Sequence, residues 1–524
     1  MADLFEDYPV GEPGTVWDEM FGAPGLPRAD YEALHATLRP LAGSDLKVRA
    51  DVLARAFLDQ GITFAFGGVE RPFPLDIVPR VIAAQQWRQV ESGVIQRVRA
   101  LEAFLEDVYG SGQVLDDGVV PRRIVVTSAH FHREAAGIAP ANGVRIHVAG
   151  VDLVRDEQGA FRVLEDNVRI PSGVSYVMEN RRAMAHVLPE VFAATRIRPV
   201  EDYPAMLLNA LQASSGVDDP TVVVLTPGVH NSAYFEHALL AREMGVELVE
   251  GRDLVCTGNE VFMATTAGPQ RVDVIYRRVD DDFLDPVHFR ADSMLGCAGL
   301  LNAARVGRLT IANAVGNGVA DDKLLYTYVP DLIRYYLNEA PILPNVDTYR
   351  LDDPDVRAYV LEHLDRLVVK PVDGSGGAGI LIGSQASAEQ LAAAAKRIQM
   401  DPRGWIAQRE VRLSTVPTLV GDRLRPRHVD LRPFAVNDGT QVRVLAGGLT
   451  RVALPDGALV VNSSQGGGSK DTWVVSHYPV SPAPAQPSAP AVEHVPVPQP
   501  DPGPGVAAFS GQQEQQQQLR EGRC

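Results

Sequence analysis

The spacing of apolar residues changes along the chain, and these changes predict its secondary structure. The segment "IVPRVIAAQQWRQVESGVIQRVRALEAFLEDVYG" places apolar residues at steps of three and four and ends on Gly110. Such spacing is typical of an amphipathic helix, and glycine commonly follows a helix end. Residues 29–110 are therefore expected to be mostly helical. Between residues 120 and 180 the period shortens, and "RRIVVTS", "GVRIHVAGVDLV" and "FRVLEDN" are predicted to be strands.

The next part of the chain, residues 201–310, predicts a β-α-β unit. "TVVVLTPG" has the apolar run of a buried strand, "SAYFEHALLAREMG" has helical spacing, and "VELVEG" is again strand-like. This order is the signature of a parallel sheet, which binds ligands at the carboxyl ends of its strands. Residues 311–475 alternate helices and strands. The fold class is therefore predicted to be α/β.

The two ends of the chain differ from this pattern. Residues 1–28 are rich in glycine, proline and acids, and residues 477–524 are first proline-rich and then glutamine-rich. Segments of this composition bury too little apolar surface to order themselves. We expect a flexible N-terminus and a disordered tail, and the tail offers a candidate binding segment for protein partners.

Composition and charge narrow the classes of function. A chain of 524 residues predicts about three structural units. Its formal net charge of -17 and its lack of Lys/Arg clusters argue against nucleic acid or an anionic membrane as the main partner. Three cysteines without metal-ligand spacing indicate a reducing compartment. No signal segment or membrane span is visible, so we predict a cytoplasmic location.

A glycine-rich stretch, "LVVKPVDGSGGAGILIG" (367–383), contains a literal G-x-G-x-x-G motif. A dinucleotide-binding loop opens a helix, whereas here "ILIG" continues as a strand, and the helix is predicted to begin at Ser387 with a capping box to Gln390. No Lys-Ser/Thr follows the last glycine, so a P-loop is also excluded. The stretch is predicted to be a glycine hairpin that covers phosphates beside Lys370. A simple surface hairpin is the alternative.

A second polar cluster lies in "VLEDNVRIPSGVSY" (163–176). Glu165 and Asn167 are two apart on a predicted strand and project from the same face. Asp152 ends the preceding apolar run, and if the two strands are antiparallel neighbours these oxygens meet around one cation. Mg²⁺ prefers such hard oxygen ligands. Each acid alone has an ordinary surface role as its alternative.

Together these stretches resemble a known family. "VDLVRDEQGAFRVLEDNVRIPSG" resembles the metal-binding half of ATP-grasp ligases, and "LVVKPVDGSGGAGILIG" is similar to their phosphate-binding half. In most ATP-grasp enzymes the lysine half comes first, but here it comes second. That order is typical of the circularly permuted ATP-grasp family, which includes eukaryotic glutathione synthetases and glutathionylspermidine synthetases. The resemblance covers about residues 60–475.

The resemblance implies a permuted ATP-grasp fold in six segments. They are a flexible N-terminus (1–28), a helical cap (29–110), the metal-binding half (111–200), a Rossmann-like β-α-β region (201–310), the lysine and glycine-loop half (311–476) and a disordered tail (477–524). It also implies ATP and Mg²⁺ as cofactors.

Site residues are carried over by position. The implied metal ligands are Asp152, Glu165, Asn167 and Asp373. The implied nucleotide-binding residues are Lys323, Lys370, Gly374, Ser375, Gly376, Gly377, Gly379, Gln408, Arg409, Glu410 and Val411. Two arginines are candidate catalytic residues. Arg169 is a candidate to bind transition-state charge or the acyl phosphate, with a surface ion pair as its alternative. Arg432 is a candidate to bind a substrate carboxylate. The acid that often holds the ribose after the adenine hinge is missing, since only Ser414 and Thr415 follow.

The implied activity is an ATP- and Mg²⁺-dependent carboxylate–amine ligase that works through an acyl phosphate. The substrates implied by the resemblance are small-molecule or peptide carboxylates and amines. Two alternatives stay open, because a fold does not fix a function. One is a non-catalytic ATP-binding or scaffold protein of the same fold, and the other is a phosphotransferase whose acceptor is not a carboxylate. The carboxylate and the amine are not identified by any residue pattern.

Overall fold

A computed structural model describes residues 3–11, 16–66, 69–374, 379–455, 457–458, 461 and 467–475. The strands are β1 (Phe21–Ala23), β2 (Leu26–Pro27), β3 (Thr63–Phe66), β4 (Val69–Pro72), β5 (Leu75–Ala83), β6 (Val148–Arg155), β7 (Phe161–Asn167), β8 (Val222–Leu225), β9 (Glu247–Val249), β10 (Leu254–Thr257), β11 (Glu260–Thr265), β12 (Gly268–Val272), β13 (Val274–Arg277), β14 (Thr310–Ala312), β15 (Thr348–Arg350), β16 (Leu367–Pro371), β17 (Leu381–Ile382), β18 (Trp405–Arg409), β19 (Thr415–Val420), β20 (Arg423–His428), β21 (Arg432–Asn437), β22 (Val442–Val452) and β23 (Gly468–Val475). The α-helices are α1 (Glu32–Leu38), α2 (Gly43–Asp59), α3 (Ala84–Val108), α4 (Gln113–Asp116), α5 (Arg122–Val126), α6 (Val174–Val187), α7 (Pro189–Ala194), α8 (Tyr203–Ala213), α9 (Tyr234–Met244), α10 (Asp281–Leu284), α11 (Leu300–Arg305), α12 (Gly318–Asp321), α13 (Lys323–Tyr326), α14 (Val329–Leu332), α15 (Pro354–Glu362) and α16 (Ala388–Met400).

A six-stranded sheet in the order β5-β23-β22-β21-β6-β7 forms the largest layer. Only the β5–β23 pair is parallel, and its neighbours are antiparallel. Helix α3 packs on this sheet through apolar residues such as Trp87 and Val94, which are fully buried. The sheet joins strands from the predicted segments 29–110, 111–200 and 311–476. The boundaries between those segments stay a prediction.

The β-α-β prediction is confirmed. Strands β8 and β9 are parallel neighbours connected by α9, in a four-stranded sheet of order β14-β13-β8-β9. Every pair in this sheet is parallel. The carboxyl ends of its strands therefore lie at one edge of the sheet, the edge at which parallel sheets commonly bind ligands.

The glycine stretch joins two strands, as predicted. Strands β16 and β17 pair antiparallel in a sheet of order β15-β18-β16-β17. Helix α16 follows, and Ser387 forms the predicted capping box with Gln390. The helix packs on the sheet through Ile398, which lies in a separate small core with Leu367 and Val369.

Two predicted elements differ in the structure. Residues 75–83 form strand β5 rather than the start of a long helix, because their continuous apolar run is buried against β23. Such a run does not distinguish a buried strand from a helix by period alone. Residues 122–126 form helix α5 instead of a strand, with Ile124 and Val125 buried and Val126 exposed, which is not the alternation of a strand.

The described part of the N-terminus is packed, in contrast to the predicted flexibility of residues 1–28. Phe5, Tyr8, Met20 and Phe21 are buried in a core shared with α1 and β5. The predicted disordered tail, 477–524, lies outside the described residues. No helix in the described part of the chain is long and apolar enough to cross a bilayer.

Candidate functional site

A cavity of about 300 Å³ lies between the six-stranded sheet and the segments that carry Lys323 and the loop after β16. The end of β7, the turn before α6, the loop after β16 and the side chains of Arg432 and Arg451 line it. The cavity continues past Tyr176 and Phe73 to Ser232, close to the start of α9. One space therefore connects the predicted phosphate-binding residues with the carboxyl edge of the parallel sheet.

Strand β7 sorts its three polar residues by face. All three residues line the cavity, but Glu165 and Asn167 are partly exposed, while the Asp166 carboxylate is buried and accepts hydrogen bonds from Arg97 at 2.5 and 2.8 Å. Strand β6 is the antiparallel neighbour, and Asp152 pairs with Glu165 across the ladder. The alternation of side chains along a strand thus gives Glu165 and Asn167 the common direction predicted from the sequence.

Lys323 connects the two halves of the predicted site. Its Nζ lies 3.3 Å from a Glu165 carboxylate oxygen and donates a hydrogen bond of 2.5 Å to the Gly374 carbonyl. The residue before it, Asp322, caps helix α13 and so fixes its start. The backbone N–H of Lys323 also donates to the Val372 carbonyl at 3.2 Å.

Lys370 lies in β16, within the same group of charges. Its side chain is almost fully buried, and burial lowers its pKa to about 8. Lys323 adds to this lowering, whereas the negative charges of Glu165 and Asp152 oppose it. Lys370 is not among the residues that line the cavity, so its contact with phosphate stays a prediction.

Asp152 is fully buried beneath two arginines. Its carboxylate accepts hydrogen bonds from Arg432 at 2.5 and 2.8 Å and from Arg451 at 2.7 Å. Arg451 also pairs with the buried Asp430, at distances of 2.5 to 3.0 Å. The two arginines hold the pKa of Asp152 far below its usual range, although burial acts in the opposite direction.

Arg169 lies farther along the cavity, toward the parallel sheet. Its Nη1 donates to both oxygens of Asp280 at 3.1 Å and lies 3.3 Å from His130 Nδ1. Asp321 accepts from the Val168 N–H at 2.6 Å, and burial raises its pKa to about 7. This part of the cavity therefore combines the Arg169 guanidinium, which Asp280 fixes in place, with the Asp321 carboxyl group, whose pKa is close to neutral pH.

Comparison with known proteins decides the family. The model of the family described as "Circularly permuted ATP-grasp type 2" matches residues 79–453. This chain belongs to that family. The order of its two site halves, with the Glu-x-Asn strand ahead of the lysine and glycine strand, is thus the permuted ATP-grasp order.

Relatives of this ATP-grasp chain extend over most of its length. It is 63% identical to the "Uncharacterized protein Rv2411c" of Mycobacterium tuberculosis over 462 residues. This aligned region covers 88% of this chain and 84% of the relative. It is 46% identical over 466 residues to a protein of Frankia casuarinae named "Putative glutamate--cysteine ligase 2-2", covering 88% of this chain but 54% of that one. The chain therefore spans about half of the Frankia protein.

A solved structure shares the fold. The apo form of a glutathione synthetase-like effector from Globodera pallida superposes with a TM-score of 0.54 at 10% identity, covering 83% of this chain and 98% of that one. The sequence-based expectation of a circularly permuted ATP-grasp fold of α/β class is confirmed. Membership in the family supports ATP binding and an ATP-dependent ligase activity.

The predicted adenine hinge of the ATP-grasp site lies at the end of β18, apart from the cavity. Gln408 is buried and donates from Nε2 to Thr348 Oγ1 at 3.1 Å, and Glu410 accepts from Ser384 Oγ at 2.6 Å. Arg409 and Val411 line a separate small cleft. The structure does not bring this segment into the cavity lining, so its role in binding adenine stays a prediction.

The predicted glycine loop is described only at its ends. Asp373 and Gly374 line the cavity, and Gly379 has a φ of 74° that favours glycine. Ser375, Gly376 and Gly377 lie outside the described residues. Ser414, one of two residues considered for the ribose, is fully buried and donates to Glu19 at 2.6 Å.

The residues present suit Mg²⁺ with a nucleotide. Within the described ranges, no three His, Cys, Asp or Glu side chains form a group that could hold a metal ion by themselves. The two carboxylates of Glu165 and Asp373 and the Asn167 amide would leave the remaining positions to phosphate and water oxygens, as Mg²⁺ prefers. The Asn167 Nδ2 is buried without a hydrogen-bond partner, so no protein bond holds that end of the amide.

Sequence reasoning missed three charged groups that line the cavity, Arg451, Asp321 and Glu236. Arg451 follows the apolar run "VLAGGLT" in β22, and a charge within a buried strand is a signal that could have found it. Asp321 lies in "ADDK", where nothing distinguishes it from its neighbour Asp322.

Proposed function

We propose that this protein is an ATP- and Mg²⁺-dependent ligase that joins a carboxylate to an amine through an acyl phosphate. The single observation that carries the proposal is the position of Lys323, whose Nζ contacts both Glu165 and the Gly374 carbonyl. This contact supports one shared site for the two halves of the ATP-grasp pattern. Family membership supports the use of ATP.

The phosphate chain is expected to bind among the cations of the cavity. Lys323, Arg432 and Arg451 line it, and Lys370 lies close enough for its pKa to respond to Lys323 and Arg451. Fixed, preorganised cations stabilise charge that develops on phosphate oxygens more strongly than water does. When ATP binds, its oxygens would replace the Gly374 carbonyl as partners of Lys323.

Glu165, Asn167 and Asp373 would hold Mg²⁺. When bound, the ion neutralises charge on the phosphate oxygens and orients the terminal phosphate for transfer. The protein residues keep this position fixed, because Asp166 anchors the opposite face of β7 to Arg97.

Arg169 and Asp321 are placed to act on the second half of the reaction. Asp280 fixes the Arg169 guanidinium, which would bind the acyl phosphate or the substrate carboxylate. An amine that attacks the acyl carbon must lose a proton. Asp321 lines the same cavity and has a pKa of about 7, so it would accept this proton near neutral pH.

The experiment is a substrate screen with the purified protein, ATP and Mg²⁺. ADP release is measured with pools of carboxylates and amines, and products are identified by mass spectrometry. Glutamate and cysteine enter the first pool because the Frankia relative carries the name of a ligase for them. We expect ADP and a new amide in equal amounts, both lost in Glu165→Gln and both kept in Asp116→Asn, which changes an exposed surface carboxylate.

Other outcomes would contradict the proposal. ATP binding without ADP release from any pool would favour a non-catalytic nucleotide-binding protein. A phosphorylated product without an amide would favour a phosphotransferase.

A further inference from the structure

Asp152 is buried between two arginines, Arg432 and Arg451, and the carboxylate of its cross-strand partner Glu165. The ATP-grasp pattern makes Asp152 a candidate metal ligand, but its side chain has no exposed surface and does not belong to the described lining of the cavity. Its Oδ1 accepts from Arg432 Nε, and its Oδ2 accepts from Arg432 Nη2 and Arg451 Nη2. Three of the roughly four acceptor positions of a carboxylate are therefore occupied.

The two arginines, in contrast, do line the cavity. The side chains of Arg432 and Arg451 are 13% and 11% exposed. Arg432 forms an ion pair with the buried Asp152, and Arg451 forms ion pairs with the buried Asp152 and Asp430. Gly150 contributes to this arrangement, because a Cβ there would lie 3.1 Å from Arg432 Cδ. A planar guanidinium fixed by a two-pronged carboxylate contact has a defined direction, which suits it to bind phosphate oxygens.

A divalent ion on Asp152 would conflict with this packing. The ion would have to share the carboxylate with two guanidinium groups at hydrogen-bond distance, and like charges repel strongly in a buried site. Glu165, the cross-strand partner of Asp152, is instead partly exposed and lines the cavity. The two carboxylates therefore share one face of the strand pair, where Asp152 is buried against the arginines and Glu165 reaches the cavity.

We propose that Asp152 is a positioning residue that aims Arg432 and Arg451 at the terminal phosphate of ATP, and that Glu165, Asn167 and Asp373 hold the metal without it. This inference rests on the proposed function, since it presupposes that the cavity binds a metal–nucleotide complex. It assigns Arg451 as a phosphate-binding residue.

The test measures metal affinity and nucleotide affinity separately in the parent protein and in three variants, Asp152→Asn, Glu165→Gln and Arg451→Lys. The probe is the β,γ-imido analogue of ATP, which is not hydrolysed. Its dissociation constant is measured by calorimetry at saturating Mg²⁺. The affinity of the protein–nucleotide complex for Mn²⁺ is measured by electron paramagnetic resonance at saturating nucleotide.

For Asp152→Asn we expect at least tenfold weaker nucleotide binding and an Mn²⁺ affinity within threefold of the parent protein. For Glu165→Gln we expect at least tenfold weaker Mn²⁺ binding. Arg451→Lys keeps the positive charge but loses the two parallel N–H donors of the guanidinium. It should therefore weaken nucleotide binding as Asp152→Asn does, without weakening Mn²⁺ binding. This variant replaces Asp152→Asn in the test if Asp152→Asn does not fold.

The inference is overturned if Asp152→Asn weakens Mn²⁺ binding as Glu165→Gln does, or if Arg451→Lys binds the nucleotide as tightly as the parent protein. If the parent protein itself binds no nucleotide at millimolar concentration with Mg²⁺, the proposed function fails. That result is distinct from a failure of this inference alone.

Discussion

Lys370 provides the sharpest test of the nucleotide site, because the burial of its charge has a cost that an anionic ligand would reduce. Its side chain is nearly inaccessible, and its pKa falls from 10.5 to about 8. A fall of this size corresponds to about 3 kcal/mol by which the folded protein disfavours the charged lysine. The unfolded chain binds this proton more tightly, so the cost is fully present below pH 8 and disappears as pH rises toward 10.5.

Lys370→Met removes the charge together with its cost. We expect the nucleotide-free variant to unfold at a higher temperature than the parent protein at pH 7, by a difference of up to about 3 kcal/mol in unfolding free energy. The variant should also lose most of the thermal stabilisation that ATP and Mg²⁺ give to the parent. Differential scanning fluorimetry with and without nucleotide measures both effects.

The pH dependence of ATP binding tests the same reasoning. If the phosphate of ATP binds to charged Lys370, the dissociation constant of the parent protein for ATP should be flat below about pH 8 and rise about tenfold per pH unit above it. In Lys370→Met this rise should be absent.

Lys470→Met is the matched control, because Lys470 is equally buried but forms an ion pair with Asp76. Its loss leaves a buried carboxylate unpaired, which destabilises by about 3–5 kcal/mol, the opposite sign. The reasoning is refuted if Lys370→Met destabilises the free protein, or if the parent protein binds ATP equally well at pH 7 and pH 9.5.

Three further predictions concern the framework of the site. Asp166→Asn should lower the unfolding free energy by about 3–5 kcal/mol in urea titrations because it leaves Arg97 buried without its counter-charge, and an unchanged midpoint would contradict this. Gly93→Ala should destabilise by about 1–3 kcal/mol because its Cβ would lie 2.4 Å from Leu343 Cγ, and the penalty should shrink when Leu343→Ala is added, so simple additivity would refute it. His147 is fully buried without hydrogen-bond partners at its ring nitrogens, and burial lowers its pKa to about 4. Since the unfolded chain then binds the proton more readily, His147→Leu should gain stability relative to the parent as pH falls from 6.5 to 4, by up to about 3 kcal/mol, and a difference independent of pH would count against this.

The local structural features of this protein follow from short stretches of its sequence. Strand alternation is a property of the backbone, so "LEDN" was sufficient to place Glu165 and Asn167 on one face and Asp166 on the other. The capping box at Ser387 is equally local and was predicted correctly. The order of the two motifs along the chain is also a sequence property, and it identified the permuted family.

Contacts between residues that are far apart in the sequence depend on tertiary packing, and the sequence did not predict those of β5, Arg432 or Arg451. Residues 75–83 became a strand because β23, almost four hundred positions later, buries them. Arg432 and Arg451 reached Asp152 through the pairing of β21 with β6 and β22, and their side chains bury the Asp152 carboxylate. Periodicity reports the face on which a residue lies, but the partner on that face is set by packing and burial.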